Sequence, residues 1–291
     1  MRKRQPVRSV AIVGAGRIGQ AMGRLLAQSH VPIVFIAARN PVAARRAVRF
    51  IGEGKPIGWA DSELQSASVL LISTSDSAIA AVAREVAKQG KGGKAWRGKV
   101  VLHTCGSLPS DVLRPLQLRG AAIGSLHPYQ TVPSPQAGVR NLRGCFWALE
   151  GDRQALRVAR DWVRRLGGVP FSVRPKEKTL YHLSAFIVCP TVVTLMAQAT
   201  SLLKQAGVPL RISRPMLRQF VAETAKNFAE LGARRALTGP AVRGDWATIR
   251  RHLAALRRSA PAFEPVYQSL LQAMSRLAGA KAPRQYKAGL R

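Results

Sequence analysis

The sequence predicts an α/β protein, with an N-terminal doubly wound, mostly parallel sheet followed by an all-α C-terminal domain. Three observations carry this prediction. Residues 10–20 place an apolar strand directly before a G-x-G-x-x-G turn formed by Gly14, Gly16 and Gly19. Strand and helix patterns alternate from there to Arg174. Beyond Pro175 the strand signal stops and long helical patterns take over. The expected division is a dinucleotide-binding domain over 1–174, a helical substrate and dimerisation domain over 175–280, and a disordered tail over 281–291.

The first strand, Val7 to Val13, ends at Gly14, which permits the tight turn. Gly16 leaves no Cβ in the way of a pyrophosphate, and Gly19 lets the following helix lie close on the strand. The helix, striped by Ile18, Met22, Leu25 and Leu26, presents free N–H groups and a positive dipole end to phosphates. Gly14, Ala15, Gly16, Arg17, Ile18 and Gly19 are the candidate cofactor contacts of this turn. The second strand, Ile33 to Ala37, ends in Ala38-Arg39-Asn40, with no acid to bind a ribose hydroxyl pair. Arg39 can instead pair with a 2′-phosphate and stack on adenine, which favours NADP over NAD. Asn40 is a candidate contact as well as an N-cap for a helix over Pro41 to Phe50.

A short strand is expected near Pro56 to Trp59, and the apolar run within Ser68 to Thr74 reads as a parallel strand covered on both faces. Its end places Thr74 and Ser75 where ligands meet an open α/β sheet. A helix over Ile79 to Lys88, a Gly/Lys loop over Gly90 to Gly98 and a strand over Lys99 to His103 follow. That strand leads into Thr104, Gly106 and Ser107 as further cofactor neighbours, with Cys105 packed in the core. Then come a helix from Ser110 or Asp111 to Leu118, strands over Ala121 to Leu126 and Gly144 to Glu150, a helix over Arg153 to Leu166, and a strand over Val169 to Val173. Helices are expected over Lys178 to Gln205, Pro215 to Leu231, Thr248 to Arg258 and Pro265 to Ala278. Pro190 should kink or locally break the first of them.

Composition narrows the function classes. The chain has 291 residues, 47% of them hydrophobic, enough to fill a core. Three cysteines with no C-x-x-C suit a reducing cytosol and exclude a zinc ribbon, so no metal is expected. The formal charge of +32 comes largely from arginines spread over every predicted helix, which reads as solvated faces and at most non-specific attraction of nucleic acid. Residues 183–203 hold no charged side chain and meet the length of a membrane span. Their serines, threonines and glutamine suit a buried central helix or a homodimer interface better.

Proton-transfer chemistry has three candidates. Lys178 and His182 are four residues apart and share a helix face, where a lysine can donate to a carbonyl oxygen and a histidine can relay the proton. A solvated lysine beside a partly buried histidine is the alternative. His127 lies at a strand's carboxyl end, and its alternative role is to order the loop before Pro128. In Leu237-Thr-Gly-Pro-Ala-Val-Arg-Gly-Asp245, Arg243 can clamp an anionic substrate and Asp245 is a second substrate candidate, although capping by Thr238 and Asp245 explains much of the motif.

The set formed by the glycine turn, Ser125-Leu-His-Pro128, Gly144-Cys-Phe-Trp-Ala-Leu-Glu-Gly151, Lys178-Thr-Leu-Tyr-His182 and Leu237 to Asp245 resembles a bacterial family of Rossmann-like oxidoreductases with a C-terminal helical domain of unknown function. More distantly it is similar to pyrroline-5-carboxylate reductase and the hydroxyacid dehydrogenases. The resemblance implies an NAD(P)-linked oxidoreductase, often dimeric, acting on a small molecule. The Lys178/His182 spacing is similar to the Lys-x-x-x-Asn of hydroxyacid dehydrogenases, with His in place of Asn. The rival expectation is a non-catalytic dinucleotide sensor whose basic surface meets nucleic acid.

Overall fold

The computed structural model describes residues 8–59, 61–89 and 95–279. The expected tail, the Val7 start of the first strand and much of the Gly/Lys loop lie outside these residues. The chain runs β1 (Val10–Val13), α1 (Arg17–Gln28), β2 (Ile33–Ala38), α2 (Pro41–Ile51), β3 (Lys55–Gly58), β4 (Val69–Ile72), α3 (Asp76–Lys88) and β5 (Val100–His103). It continues with α4 (Arg114–Gln117), β6 (Ala122–Pro128), α5 (Pro135–Asn141), β7 (Phe146–Gly151), α6 (Arg153–Arg165) and β8 (Val169–Ser172). The helical remainder is α7 (Lys178–Gln205), α8 (Leu210–Leu231), α9 (Ala233–Ala236), α10 (Pro240–Arg243), α11 (Trp246–Ser259) and α12 (Glu264–Ala278).

The strands form one sheet in the order β3-β2-β1-β4-β5-β6-β7-β8. Every described pairing is parallel except β6 with β7, where His127 stands opposite Ala148. The reversal of direction on either side of β1 makes the switch point at which α/β proteins bind ligands beyond the strand ends. Both faces of the sheet are covered, which is why β1, β4 and β5 are apolar without alternation. Side chains of alternate residues still part to opposite faces. Val10, Ile12 and Leu71 meet Leu25, Leu26 and Trp162 of α1 and α6. Ala11, Val13 and Ile72 meet Ile79, Val82 and Val86 of α3.

Local signals explain several boundaries. Asn40 Oδ1 accepts the N–H groups of Val42 and Ala43, Pro41 fills the first position, and Gly52 with φ +90° ends α2. β6 runs two residues further than expected, so His127 lies within the strand and not beyond it. The antiparallel β7 pairs with it as far as Pro128 and extends the ladder. α8 starts at Leu210, five residues before Pro215, because a proline in the second turn costs one backbone bond without preventing the helix. Pro190 likewise lies inside a continuous α7, where the Thr194 hydroxyl donates to its carbonyl at 2.9 Å.

By compactness the chain divides between Cys189 and Pro190, inside α7, and not at residue 174 as the patterning suggests. The first turns of α7 are bonded to the sheet through Lys178, Tyr181 and Ser184 and therefore belong with it. The second unit has its own small core of Ala241, Ile249, Leu253 and Leu271, with Trp246 and Tyr267 packed against it. The expectation of a buried central helix is corrected. Within the single chain α7 exposes Leu180, Phe186, Ile187, Val188 and Val193, and it is the one helix among the described residues long and apolar enough for a membrane.

Candidate functional site

Gly14 adopts φ +118°, and a Cβ there would strike the Ser73 carbonyl, so the turn after β1 requires glycine. A Cβ on Gly19 would strike the Gly14 carbonyl and the Ser73 hydroxyl, which makes Gly19 the contact between helix and strand end. Gly16 differs: a Cβ would meet nothing nearer than the Ser73 carbonyl at 3.8 Å, so its missing side chain leaves open space. Gly16 is also the N-cap of α1, with no side-chain cap and no acid in the first turn. The first N–H groups of α1 thus remain available to an anion.

A cavity of about 520 Å³ opens at this point, lined by Gly14, Ala15, Gly16, Arg39, Asn40, Thr74 and Ser75 among others. It brings together candidate contacts from three strand ends, with Arg39 exposed at its edge. Arg17, Ile18 and Gly19 do not line it: Arg17 is exposed, Ile18 packs on the core and Gly19 is buried in the turn. Thr104, Gly106 and Ser107 belong to the neighbouring strand end. The two places are linked, because the Ser107 hydroxyl donates to Asp76 Oδ2 at 3.3 Å, one residue beyond Ser75.

At that neighbouring end a second group of side chains meets around Gly106. A Cβ on Gly106 would lie 2.7 Å from both His127 Nε2 and His182 Cδ2, so the two imidazoles close on its bare backbone. Their ring centroids are 5.8 Å apart. His127 Nδ1 and the Tyr181 hydroxyl are 2.7 Å apart, and Tyr181 is edged by Tyr129 and Phe171. Burial above all, then the charges of Lys178 and His182, pushes the His127 pKa down to about 3, so the ring is neutral at physiological pH. Burial raises the Tyr181 pKa, which keeps its hydroxyl protonated and able to donate to Nδ1. Nε2 is the ring nitrogen that faces Gly106.

Lys178 is corrected by its surroundings. Although His182 follows it by one turn as predicted, the lysine is 2% exposed. Its ammonium donates to the Cys105 carbonyl at 3.0 Å and to the Ser125 hydroxyl, with Glu150 Oε1 at 3.7 Å. Glu150 in turn accepts the backbone N–H and the hydroxyl of Ser110, both at 2.7 Å. A buried lysine needs such compensation. It ties α7 to β6, β7 and the loop after β5, and leaves no face of the amine for a substrate. Burial lowers the Lys178 pKa while Glu150 raises it. His103 beneath it is fully buried, its pKa pushed to about 3 by burial and by Lys178. Its Nδ1 accepts the Cys105 N–H at 3.1 Å. Cys105 is buried with its thiol pKa raised by burial, in keeping with packing.

Arg243 and Asp245 lie in the second unit, each described there alone. Arg243 is exposed, whereas Asp245 Oδ1 accepts the Thr248 N–H at 3.0 Å and caps α11. Tyr181, Asp76, Glu150 and Ser125 were not singled out from the sequence. Tyr181 stood inside the Lys178 to His182 motif, where the three-residue step from Lys178 was the available signal. No group of His, Cys, Asp and Glu suited to a metal occurs among the described residues.

Comparison with known families matches residues 2–128 to a Rossmann-like domain and residues 145–274 to a domain of unknown function, DUF2520. The chain thus carries a Rossmann-like domain followed by a DUF2520 domain. The DUF2520 match starts at Cys145, so this part includes β7, α6 and β8 of the sheet as well as the later helices. Among solved structures, this chain resembles a provisionally assigned NADP oxidoreductase from Bacteroides fragilis at 23% identity and TM-score 0.76, covering 92% of this chain and 98% of that one. It also resembles an imine reductase from Myxococcus stipitatus in complex with NADP+, at 13% identity and TM-score 0.66, covering 93% of each chain. A pyrroline-5-carboxylate reductase from Coxiella burnetii matches at 13% identity and TM-score 0.59, covering 95% of this chain and all of that one. Identities in this range speak to a shared fold. Comparison with curated proteins finds no match.

Proposed function

We propose that this protein is an NADP-dependent oxidoreductase, moving a hydride between the nicotinamide and a small carbonyl, imine or hydroxy compound. The observation that carries this reading is the link, through Ser107 and Asp76, between the cavity at the glycine turn and the imidazole pair around Gly106. The open space at Gly16 and the uncapped start of α1 fit a pyrophosphate, and Arg39 fits a 2′-phosphate. The names of the structural neighbours from Bacteroides fragilis and Myxococcus stipitatus agree with a cofactor of this kind.

When bound, the dinucleotide supplies or accepts the hydride. The chain's own residues do the rest. Neutral His127 donates a hydrogen bond from Nε2 at the Gly106 face to the substrate oxygen or nitrogen and polarises it, while the proton that accompanies the hydride is drawn from solvent and returned to it in the reverse direction. Tyr181 fixes the tautomer through Nδ1, and His182 closes the other side. Lys178 positions the loop after β5 instead of donating to substrate. Arg243 remains the candidate anchor for an anionic group, with Asp245 occupied as a cap.

The exposed apolar faces of α7 and α8, including Phe186, Ile187, Phe220 and Phe228, are assigned to a second copy of the chain, giving a homodimer in the cytoplasm. Calorimetric titration with NADPH, NADH and a short DNA duplex at low and moderate salt tests the central reading. Saturable, salt-resistant binding of NADPH in preference to NADH supports it and directs a screen of cyclic imines and keto acids with that cofactor. Binding only to DNA, or nucleotide binding lost in modest salt, favours the sensor with a basic surface.

A further inference from the structure

The glycine turn and Arg39 account for phosphate binding in the cavity, but a dinucleotide also brings a flat, apolar purine. Much of the wall around that space is too small to hold one: Ala43, Ala78 and Ala81 offer methyl groups. Trp59 lines the same cavity. β2 and β3 are parallel and pair Ala38 with Gly58, so Arg39 and Trp59 are the next residues on adjacent strands and leave the sheet side by side. The indole is half-buried and packs against the core cluster of Ile57 and Val82. One part of the ring is therefore fixed by the core while the rest is open to the cavity. A rigid aromatic held in this way is ordered before a ligand arrives, and a purine that stacks on it orders little else.

We propose that Trp59 is the purine-binding residue of this cavity, its indole supplying the π face on which the adenine of the dinucleotide stacks while the neighbouring Arg39 meets the 2′-phosphate. The inference rests on the dinucleotide reading above. It assigns separate tasks to adjacent residues: Trp59 serves adenine, common to NADPH and NADH, and Arg39 serves the phosphate that distinguishes them. Base stacking on an aromatic side chain is worth enough to change affinity by about tenfold or more.

The experiment is titration of the full chain and three variants with NADPH, NADH, adenosine 2′,5′-bisphosphate and nicotinamide mononucleotide. Trp59→Leu keeps apolar bulk against the core and removes the π face. It should weaken NADPH, NADH and the bisphosphate by similar factors of about tenfold, and leave the mononucleotide unchanged. Trp59→Phe should restore much of the loss at an unchanged melting temperature, whereas Arg39→Ser should weaken NADPH and the bisphosphate but spare NADH. Undiminished binding of both dinucleotides by Trp59→Leu overturns the assignment. So does a loss confined to NADPH, which would make the indole a buttress for Arg39. Wild-type protein that binds none of the adenine ligands overturns the dinucleotide reading and Trp59 with it. Wild-type binding that survives Trp59→Leu overturns Trp59 alone.

Discussion

At the scale of single residues, burial governs the protonation of His103, His127 and Lys178. Replacing His127 by Ala is expected to lower kcat/KM by about a hundredfold or more while the Kd for NADPH is retained, as read by steady-state assay beside calorimetry. Lys178→Met removes one member of a buried pair and leaves Glu150 bonded only to Ser110. It should destabilise the protein by about 3 kcal/mol in urea unfolding, and Lys178→Met combined with Glu150→Gln should recover part of that loss. The histidines give a pH signature of definite sign. Folded His103 and His127 titrate near about 3, against about 6.5 in an unfolded chain. Between these values the unfolded state binds more protons, so stability rises with pH. Their contribution is fully present above about pH 6.5 and falls away as the pH drops toward 3. Urea midpoints at pH 7.5 and pH 5 measure this, and a midpoint no lower at pH 5 would refute it. His127 and His182, which meet around Gly106, stood out in the sequence because imidazoles at a strand end and on a helix face are chemically conspicuous. The burial of Lys178 did not, since nothing local tells whether an ammonium meets water or the carbonyl of a residue 73 positions away.

At the scale of elements, the β1 turn and α1 separate two glycines with different duties. Gly16→Ala should fold with at most a small fall in melting temperature, because its Cβ has room although alanine is a poorer N-cap than glycine. The same substitution should abolish NADPH binding by filling the space beside the phosphates. Gly19→Ala should lower the melting temperature further, since backbone atoms of Gly14 stand in the way of its Cβ. Thermal scans with and without NADPH distinguish them. The glycine spacing and the Asn40-Pro41 cap were readable because both depend on neighbours within a few residues. The extension of β6 through His127 depended on antiparallel β7, a pairing that residue spacing does not encode. α5 gave no periodic signal strong enough to predict, yet it packs on α1, and a Cβ at its Gly138 would crowd Ala21 and Val132.

At the scale of the whole molecule, the charge and the exposed apolar helices point to different kinds of contact. The arginines are dispersed over solvated faces, while α7 and α8 expose large side chains on helices with few charges along α7. Phe220 is 72% exposed, an unusual cost for an aromatic ring in water. Sedimentation velocity should find a dimer, and Phe220→Glu should shift it to monomer; a wild-type monomer at all concentrations refutes the assignment. By itself the sequence determined the α/β class, the glycine turn, Arg39 in place of an acid, and the change from strands to helices after Pro175. Each is a matter of local spacing, steric allowance or periodicity. Only the tertiary structure decided that the Lys178 ammonium is buried among Cys105, Ser125 and Glu150, that Tyr181 meets His127 Nδ1, and that Trp59 shares a cavity wall with Arg39. Those facts depend on which strand ends adjoin and which polar groups lose water when the sheet closes, and both are settled by packing between residues far apart in the chain.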